Sequence, residues 1–220
     1  DIAHAADALL VVDNSFCSPA LQRPLLLGAD LSVQSATKAI DGHGRVQGGV
    51  VSGSRELMGK IQMYMNSAGL SMSPFHAWQL LNGLETLFVR MEKQCANADK
   101  IAAWLRKQPK VLNVYHAGFA DHPQAELVKK QQRAGGIVVA FEVEGGQEAA
   151  WALMDKLKIF SRTANLGDVR STVTHPWTTT HGRMAPEDKL ESGIRQGLLR
   201  LAVGMEHADD LIADLAQAMA

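Results

Sequence analysis

Cysteine is scarce: Cys17 and Cys95 are the only two in 220 residues, and they form neither a CxxC pair nor a zinc-ligand spacing. They read as two reduced thiols of a cytosolic protein. No apolar run approaches the roughly 20 residues that a helix needs to cross a bilayer, so no membrane span is expected. Charge of one sign is missing as well: 22 Lys and Arg face 23 Asp and Glu, a formal net charge of -1. That balance argues against a nucleic-acid binder and against a basic membrane-surface protein. The opening DIAHAADA has neither a basic n-region nor an apolar h-region, so no signal peptide is expected and the expected location is the cytoplasm. No G-x-G-x-x-G follows the first predicted strand, which weighs against a nucleotide-binding α/β protein.

What remains is an ordinary globular composition, 46% hydrophobic and 20% charged, with a mean hydropathy of -0.06. The length suits one large domain or two small ones. DIAHAADA reads as a helix already in progress, without a capping residue ahead of it, so the chain is expected to be a fragment. Three short strands follow, LLVV at 9–12, LSVQSA at 31–36 and VVSG at 50–53. The unalternating apolar run at 9–12 predicts a mostly parallel sheet covered on both faces. Residues 54–66 read as a helix. From Pro74 to about Lys107 one long helix is predicted, because Phe75, Trp78, Leu81, Leu84, Leu87 and Met91 recur at three- and four-residue spacing. Beyond it, strands at 111–116, 136–145 and 198–204 mix with helices in an α+β pattern. The expected division is 1–94 as part of a large domain and 95–220 as a small carboxyl-terminal domain.

Polar residues stand just past two of the strands. Asp13 ends the first and Lys38 follows the second, where open α/β sheets bind ligands. Asp13 alone reads as a turn former, and Lys38 alone as a solvated loop residue. Together they suit pyridoxal phosphate (PLP), whose pyridinium ring needs a carboxylate partner and whose aldehyde needs a lysine amine. Ser35 and Thr37 offer hydroxyls for the phosphate, and the small residues Ala36, Ala39 and Gly42, ahead of a glycine-rich loop at 41–49, would let backbone approach a ring.

At these residues the sequence resembles a known family. VVDNSFCSPALQRPLLLGADLSVQSATKAIDGHGRVQGGVVSG is similar to the core of the Cys/Met metabolism PLP-dependent enzymes. The similarity runs on through SMSPFHAWQLLNGLETLFVRMEKQ, TANLGDVRSTVTHPWTTTHGRM and GLLRLAVGMEHADDLIADL. The resemblance implies a fold-type I PLP-dependent transferase, an α/β fold seen here as a partial large domain plus an α+β carboxyl-terminal domain. It implies that Lys38 is the Schiff-base lysine and that Asp13 pairs with the pyridine nitrogen. Ser35 and Thr37 would contact the phosphate, and Arg200 would anchor the substrate carboxylate, although alone it reads as a surface residue on an edge strand. Asn165 stands where many members have serine. With GDVRSTVTHPWTTTHGR it looks most like the O-succinylhomoserine sulfhydrylase branch. Arg45 reads equally as a contact for a succinyl carboxylate and as an exposed loop residue. His175 and His181 flank WTTT without partners at metal-ligand spacing, so no metal is expected.

The activity implied is γ-replacement on an activated homoserine ester, with cystathionine γ-synthase or γ-lyase chemistry as the alternative on the same scaffold. A truncated, inactive assembly module is the alternative of another class. The implied partners are a small amino-acid substrate and further copies of the chain. The resemblance also implies that this is the carboxyl-terminal half of a chain of roughly 400 residues, lacking a phosphate loop and a ring-stacking tyrosine, and weakly active or inactive alone.

Overall fold

The computed structural model describes residues 2–220. After a single helical turn, α1 (Ile2–Ala5), the chain enters a three-stranded sheet in the order β1 (Val11–Asp13), β2 (Leu31–Ser35), β3 (Gly49–Gly53). β1 and β2 are parallel, joined through α2 (Ser18–Leu21) and a 3-10 turn at Pro24–Leu27, which give the chain room to cross back. β2 and β3 are antiparallel, because residues 36–48 return as a tight loop with no crossover helix. The sheet is therefore mixed over these strands, not mostly parallel.

α3 (Arg55–Ala68) starts at Ser54, whose hydroxyl accepts the N–H of Leu57 at 3.3 Å. The single helix predicted from Pro74 is two, α4 (Pro74–Glu85) and α5 (Leu87–Leu105), broken at Thr86. The break turns the apolar stripe. Leu87 and Met91 are fully buried, whereas Phe75, Trp78, Leu81 and Leu84 are exposed. Hydrophobic spacing runs straight through Thr86, so periodicity alone could not reveal it.

The second sheet has the order β4 (Val111–Tyr115), β5 (Val138–Val143), β8 (Leu198–Ala202), β7 (Thr172–Thr174), β6 (Ser161–Arg162). Its pairings are antiparallel except for β6 with β7. α6 (Ala125–Gln131) and α8 (Pro186–Glu191) are short connectors, while α7 (Gly146–Lys156) and α9 (Ala208–Met219) cover the sheet with the end of α5. This is the main core: Phe141, Leu199, Leu201, Leu211 and Leu215 are wholly excluded from solvent. Each such side chain contributes about 1.5–3 kcal/mol on burial. A separate cluster packs Leu87, Met91 and Cys95 of α5 against Ala20, Leu21, Ala39 and Ile137. α5 thus serves both halves, with its first turns on the β1–β2 side and its later turns, from Ala98 on, in the main core. No helix of the described residues is long and apolar enough to cross a membrane.

Candidate active site at Lys38

Parallel pairing sends β1 and β2 out of the sheet at the same end. Asp13 is in register with Val33, and Asn14 N–H donates to the Val33 carbonyl at 2.8 Å. Strand alternation then puts Asp13 and Ser35 on one face at that end. Ser15 ties them together. Its N–H donates to Asp13 Oδ1 at 2.9 Å, an Asx-type turn, and its hydroxyl accepts the N–H of Ser35 at 2.7 Å. The hydrogen bonds from Ser15 hold the Asp13 carboxyl below its usual 3.8, so it is an anion at neutral pH.

β2 runs directly into a π-turn, Ala36–Ile40, which carries Lys38 at its centre. Such turns recur at functional sites. Lys38 departs from helical geometry within it, with φ of -85° and ψ of -126°. Its Nζ donates to Asn165 Oδ1 at 3.1 Å. No carboxylate lies within salt-bridge distance of this amine among the described residues.

Asn165 arrives from the far sheet on the loop between β6 and β7. Gly167 lets that loop touch the Lys38 turn: its φ is +85°, and a Cβ there would lie 2.6 Å from Ala39 N. Val169 N–H donates to the Gly42 carbonyl at 2.8 Å. On its other side the loop is held by Arg200 of β8, whose Nη2 donates to Ala164 O at 2.7 Å and to Asn165 O at 3.5 Å. Arg200 Nε is buried without a hydrogen-bond partner, and no carboxylate neutralises this guanidinium among the described residues. Burial lowers its pKa by disfavouring the charge. A partly buried cation in this condition keeps donors to which an anion would bind favourably.

Ser35 Oγ makes no hydrogen bond among the described residues. Thr37 Oγ1, by contrast, donates to Gly48 O at 3.3 Å and accepts from Gly48 N–H at 3.1 Å, closing the loop to β3. Arg45 is bound at home too. Its Nε donates to Oδ1 of the fully buried Asp41 at 3.1 Å, and its N–H donates to Oδ2 at 2.8 Å. His175 is a core residue, with Nε2 against Gln196 O at 2.7 Å and Nδ1 near Thr178 and Trp151. No cluster of metal ligands occurs among the described residues.

The family model for the Cys/Met metabolism PLP-dependent enzymes matches residues 1–220. The chain belongs to this family. It is 52% identical to an O-succinylhomoserine sulfhydrylase of Pseudomonas aeruginosa, over all of this chain and 55% of that protein. It is 44% identical to an L-methionine gamma-lyase of Pseudomonas putida, over 99% of this chain and 55% of that one. A crystal structure of cystathionine gamma synthase from Xanthomonas oryzae pv. oryzae, in complex with aminoacrylate and cysteine, superposes with a TM-score of 0.95 at 44% identity. The match covers 99% of this chain and 56% of that one. The chain thus spans about half the length of the relatives it matches, and its fold is a partial fold-type I domain with an α+β remainder.

Pyridoxal phosphate is the family's cofactor, and the residues present fit it: an amine without a counter-ion at Lys38, a fixed carboxylate at Asp13 and an unpartnered hydroxyl at Ser35. Sequence reasoning missed Ser15 and Asp41. The Asp-x-Ser spacing was the available signal for Ser15; Asp41 carried none, because only burial distinguishes it from a loop acid.

Proposed function

We propose that this chain supplies the lysine, the ring-nitrogen partner and the carboxylate anchor of an enzyme that performs γ-replacement on O-succinylhomoserine with sulfide, yielding homocysteine. The observation that carries the reading is the pair of cations without counter-ions, Lys38 and Arg200, tethered to the same short loop at Ala164 and Asn165. An amino acid has one group for each: an amine for the cofactor that Lys38 would hold, and a carboxylate for Arg200. The 52% identity to the Pseudomonas aeruginosa sulfhydrylase, against 44% for the Pseudomonas putida gamma-lyase and for the Mycobacterium tuberculosis sulfhydrylase, is what supports replacement over elimination.

When bound, pyridoxal phosphate supplies an electron sink for the charge that develops at the substrate Cα. The chain's own groups do the rest. Lys38 Nζ holds the cofactor until substrate arrives and is then the amine that takes the Cα proton and carries it between carbons. Asn165 Oδ1 orients that amine. Asp13, kept ionised by Ser15, pairs with the ring nitrogen. Ser35 Oγ receives the phosphate, with Thr37 contributing its backbone turn and, once freed from Gly48, its hydroxyl. Arg200 fixes the carboxylate by two parallel N–H donors, which sets the Cα–H bond toward Lys38. Succinate leaves from Cγ and sulfide adds there. Arg45 takes no part while bound to Asp41.

We place the domain boundary near residue 95, supported by the change of core along α5. The exposed stripe of α4 and the open edge of β1 call for covering chain, from the rest of a longer protein or from a second copy. The isolated 220 residues are accordingly weakly active or inactive. The test is to incubate the complete enzyme carrying this sequence with O-succinylhomoserine and sulfide and to assay homocysteine. Its absence, with cofactor bound at Lys38, refutes the substrate; failure of borohydride to fix the cofactor on Lys38 refutes the site. Formation of cystathionine from cysteine at a greater rate would instead favour the synthase reading, which the Xanthomonas oryzae likeness supports.

A further inference from the structure

The π-turn that presents Lys38 leaves its own carbonyls in difficulty. Asp41 N–H returns to Ala36 O at 2.9 Å and Gly42 N–H to Lys38 O at 2.8 Å, but no backbone N–H reaches the carbonyls of Ala39 and Ile40 among the described residues. Buried carbonyls need partners. Arg90 of α5, only 3% exposed, supplies them: Nη1 donates to Ala39 O at 2.8 Å and Nη2 to Ile40 O at 3.2 Å. The same guanidinium is fixed from behind, with Nη2 donating to Gly83 O at 2.6 Å and Nε to Thr86 Oγ1 at 3.0 Å. The helix break at Thr86 is what turns the Gly83 carbonyl and the Thr86 hydroxyl toward it. α4 comes so close that a Cβ on Gly83 would stand 2.3 Å from Ile40 O.

A buried guanidinium without a carboxylate in contact is an expensive way to stabilise a fold, since apolar packing of equal volume does as well or better. Its distinctive property is a rigid fork of donors, which defines the position of what it holds. We infer that Arg90 is a positioning residue for Lys38: it locks the carbonyls immediately after the lysine to the α4–α5 break and so fixes where the amine emerges. The inference rests on Lys38 as the cofactor lysine, and it adds a second hold on the turn besides the contact of Asn165 with the amine. Arg90 touches neither cofactor nor substrate in this scheme.

The experiment uses the complete enzyme with Arg90→Lys, which keeps the charge but loses the fork, and Thr86→Val, which keeps the arginine but removes its Nε acceptor. In cofactor-free protein, hydrogen exchange at the Asp41 and Gly42 amides is expected to rise about tenfold or more, the scale of losing one hydrogen bond from a charged donor. Amides of β5 and β8 are expected to stay within about twofold, as sites not sharing those partners do. In the loaded enzyme kcat is expected to fall about tenfold with KM nearly unchanged, as for misplacement of a proton-transfer group rather than lost substrate binding. If Arg90→Lys does not fold, Thr86→Val carries the same readouts. Exchange at 41–42 that is unchanged, or that accelerates equally in β5 and β8, overturns the inference; so does a loss confined to KM. Borohydride fixation lost in Lys38→Ala but retained in Arg90→Lys keeps the assignment of Lys38 separate from the role of Arg90.

Discussion

Replacing Arg200 by lysine isolates the anchor. The substitution keeps a positive charge but exchanges a planar fork for a hydrated point charge. Nη2 is already engaged with Ala164 O at 2.7 Å, and Nε is buried without a partner. The unengaged donors are therefore those a carboxylate would take. A hydrogen bond between charged groups contributes about 1.5–3 kcal/mol. Because Arg200 is only partly buried, water recovers some of this, and the lower end applies. Arg200→Lys should lower kcat/KM for an amino-acid substrate about 10-fold, up to about 100-fold if both parallel bonds are lost. The assay compares that substrate with its carboxamide analogue, which carries no negative charge. The wild-type preference for the acid should collapse in the variant while the rate on the amide changes less than about threefold, because only the acid uses the charged pair. An equal fall on both, or a preference that survives, refutes the anchor and leaves Arg200 as a support for the 164–165 backbone.

Three further outcomes are expected. Ser15→Ala removes the hydroxyl bond, the larger of the two Ser15 contributions that hold Asp13 below its usual 3.8, and leaves the backbone N–H bond to Asp13 Oδ1 in place. A depressed carboxyl stabilises above its unfolded pKa and loses that contribution as pH falls through its folded pKa. The wild type should therefore lose a small increment of stability in acid below about pH 4, and Ser15→Ala, followed by chemical denaturation across pH 2–7, should show a smaller increment. Cys95 is 3% exposed, and burial pushes its thiol up to about 12. It should resist alkylation at pH 8 in the folded protein and react on unfolding, and stability should decline as pH rises past 9, where only the unfolded thiol ionises. Gly167→Ala places a Cβ 2.6 Å from Ala39 N at a φ of +85°; it should cost about 1–3 kcal/mol and weaken cofactor retention, read from thermal midpoints and from dialysis of the bound cofactor.

β1 and β3 were legible as short apolar runs ended by Asp13 and Gly53, β2 by Leu31 and Val33 ahead of Ser35, and Pro74 marked the first turn of α4. The antiparallel return of β3 was not, because an apolar run fits either direction when its partner is unknown. Nor was the exposure of Phe75, Trp78, Leu81 and Leu84, since a helical stripe says that a face will be covered but not by which chain. At the site, residue type and position pointed to Lys38 and Asp13, whereas Arg200 was singled out only by the family resemblance. What they bind could not be read from spacing. Asn165 meets Lys38 from 127 positions away, and Thr37 and Arg45, chosen for their chemistry, are drawn to Gly48 and Asp41 at short range.

That difference follows from the distance over which each contact forms. Thr37 and Arg45 lie in a loop that must satisfy its own backbone and the buried Asp41, so nearby partners capture them first. Lys38 follows the end of β2 and Arg200 sits at the middle of β8 in the other sheet, neither has a carboxylate partner among the described residues, and the loop at 164–165 contacts both. Gly167 closes that bridge by contact rather than by charge, so neither cation is neutralised in joining the sheets. Under the proposed function a zwitterionic substrate would complement the pair, bringing an amine for the cofactor and a carboxylate for Arg200 at a fixed spacing. The loop then does more than connect: any shift that moves Ala164 on Arg200 also moves Asn165 on Lys38. Under the proposed roles, carboxylate binding at Arg200 and orientation of Lys38 would be coupled through this single peptide segment.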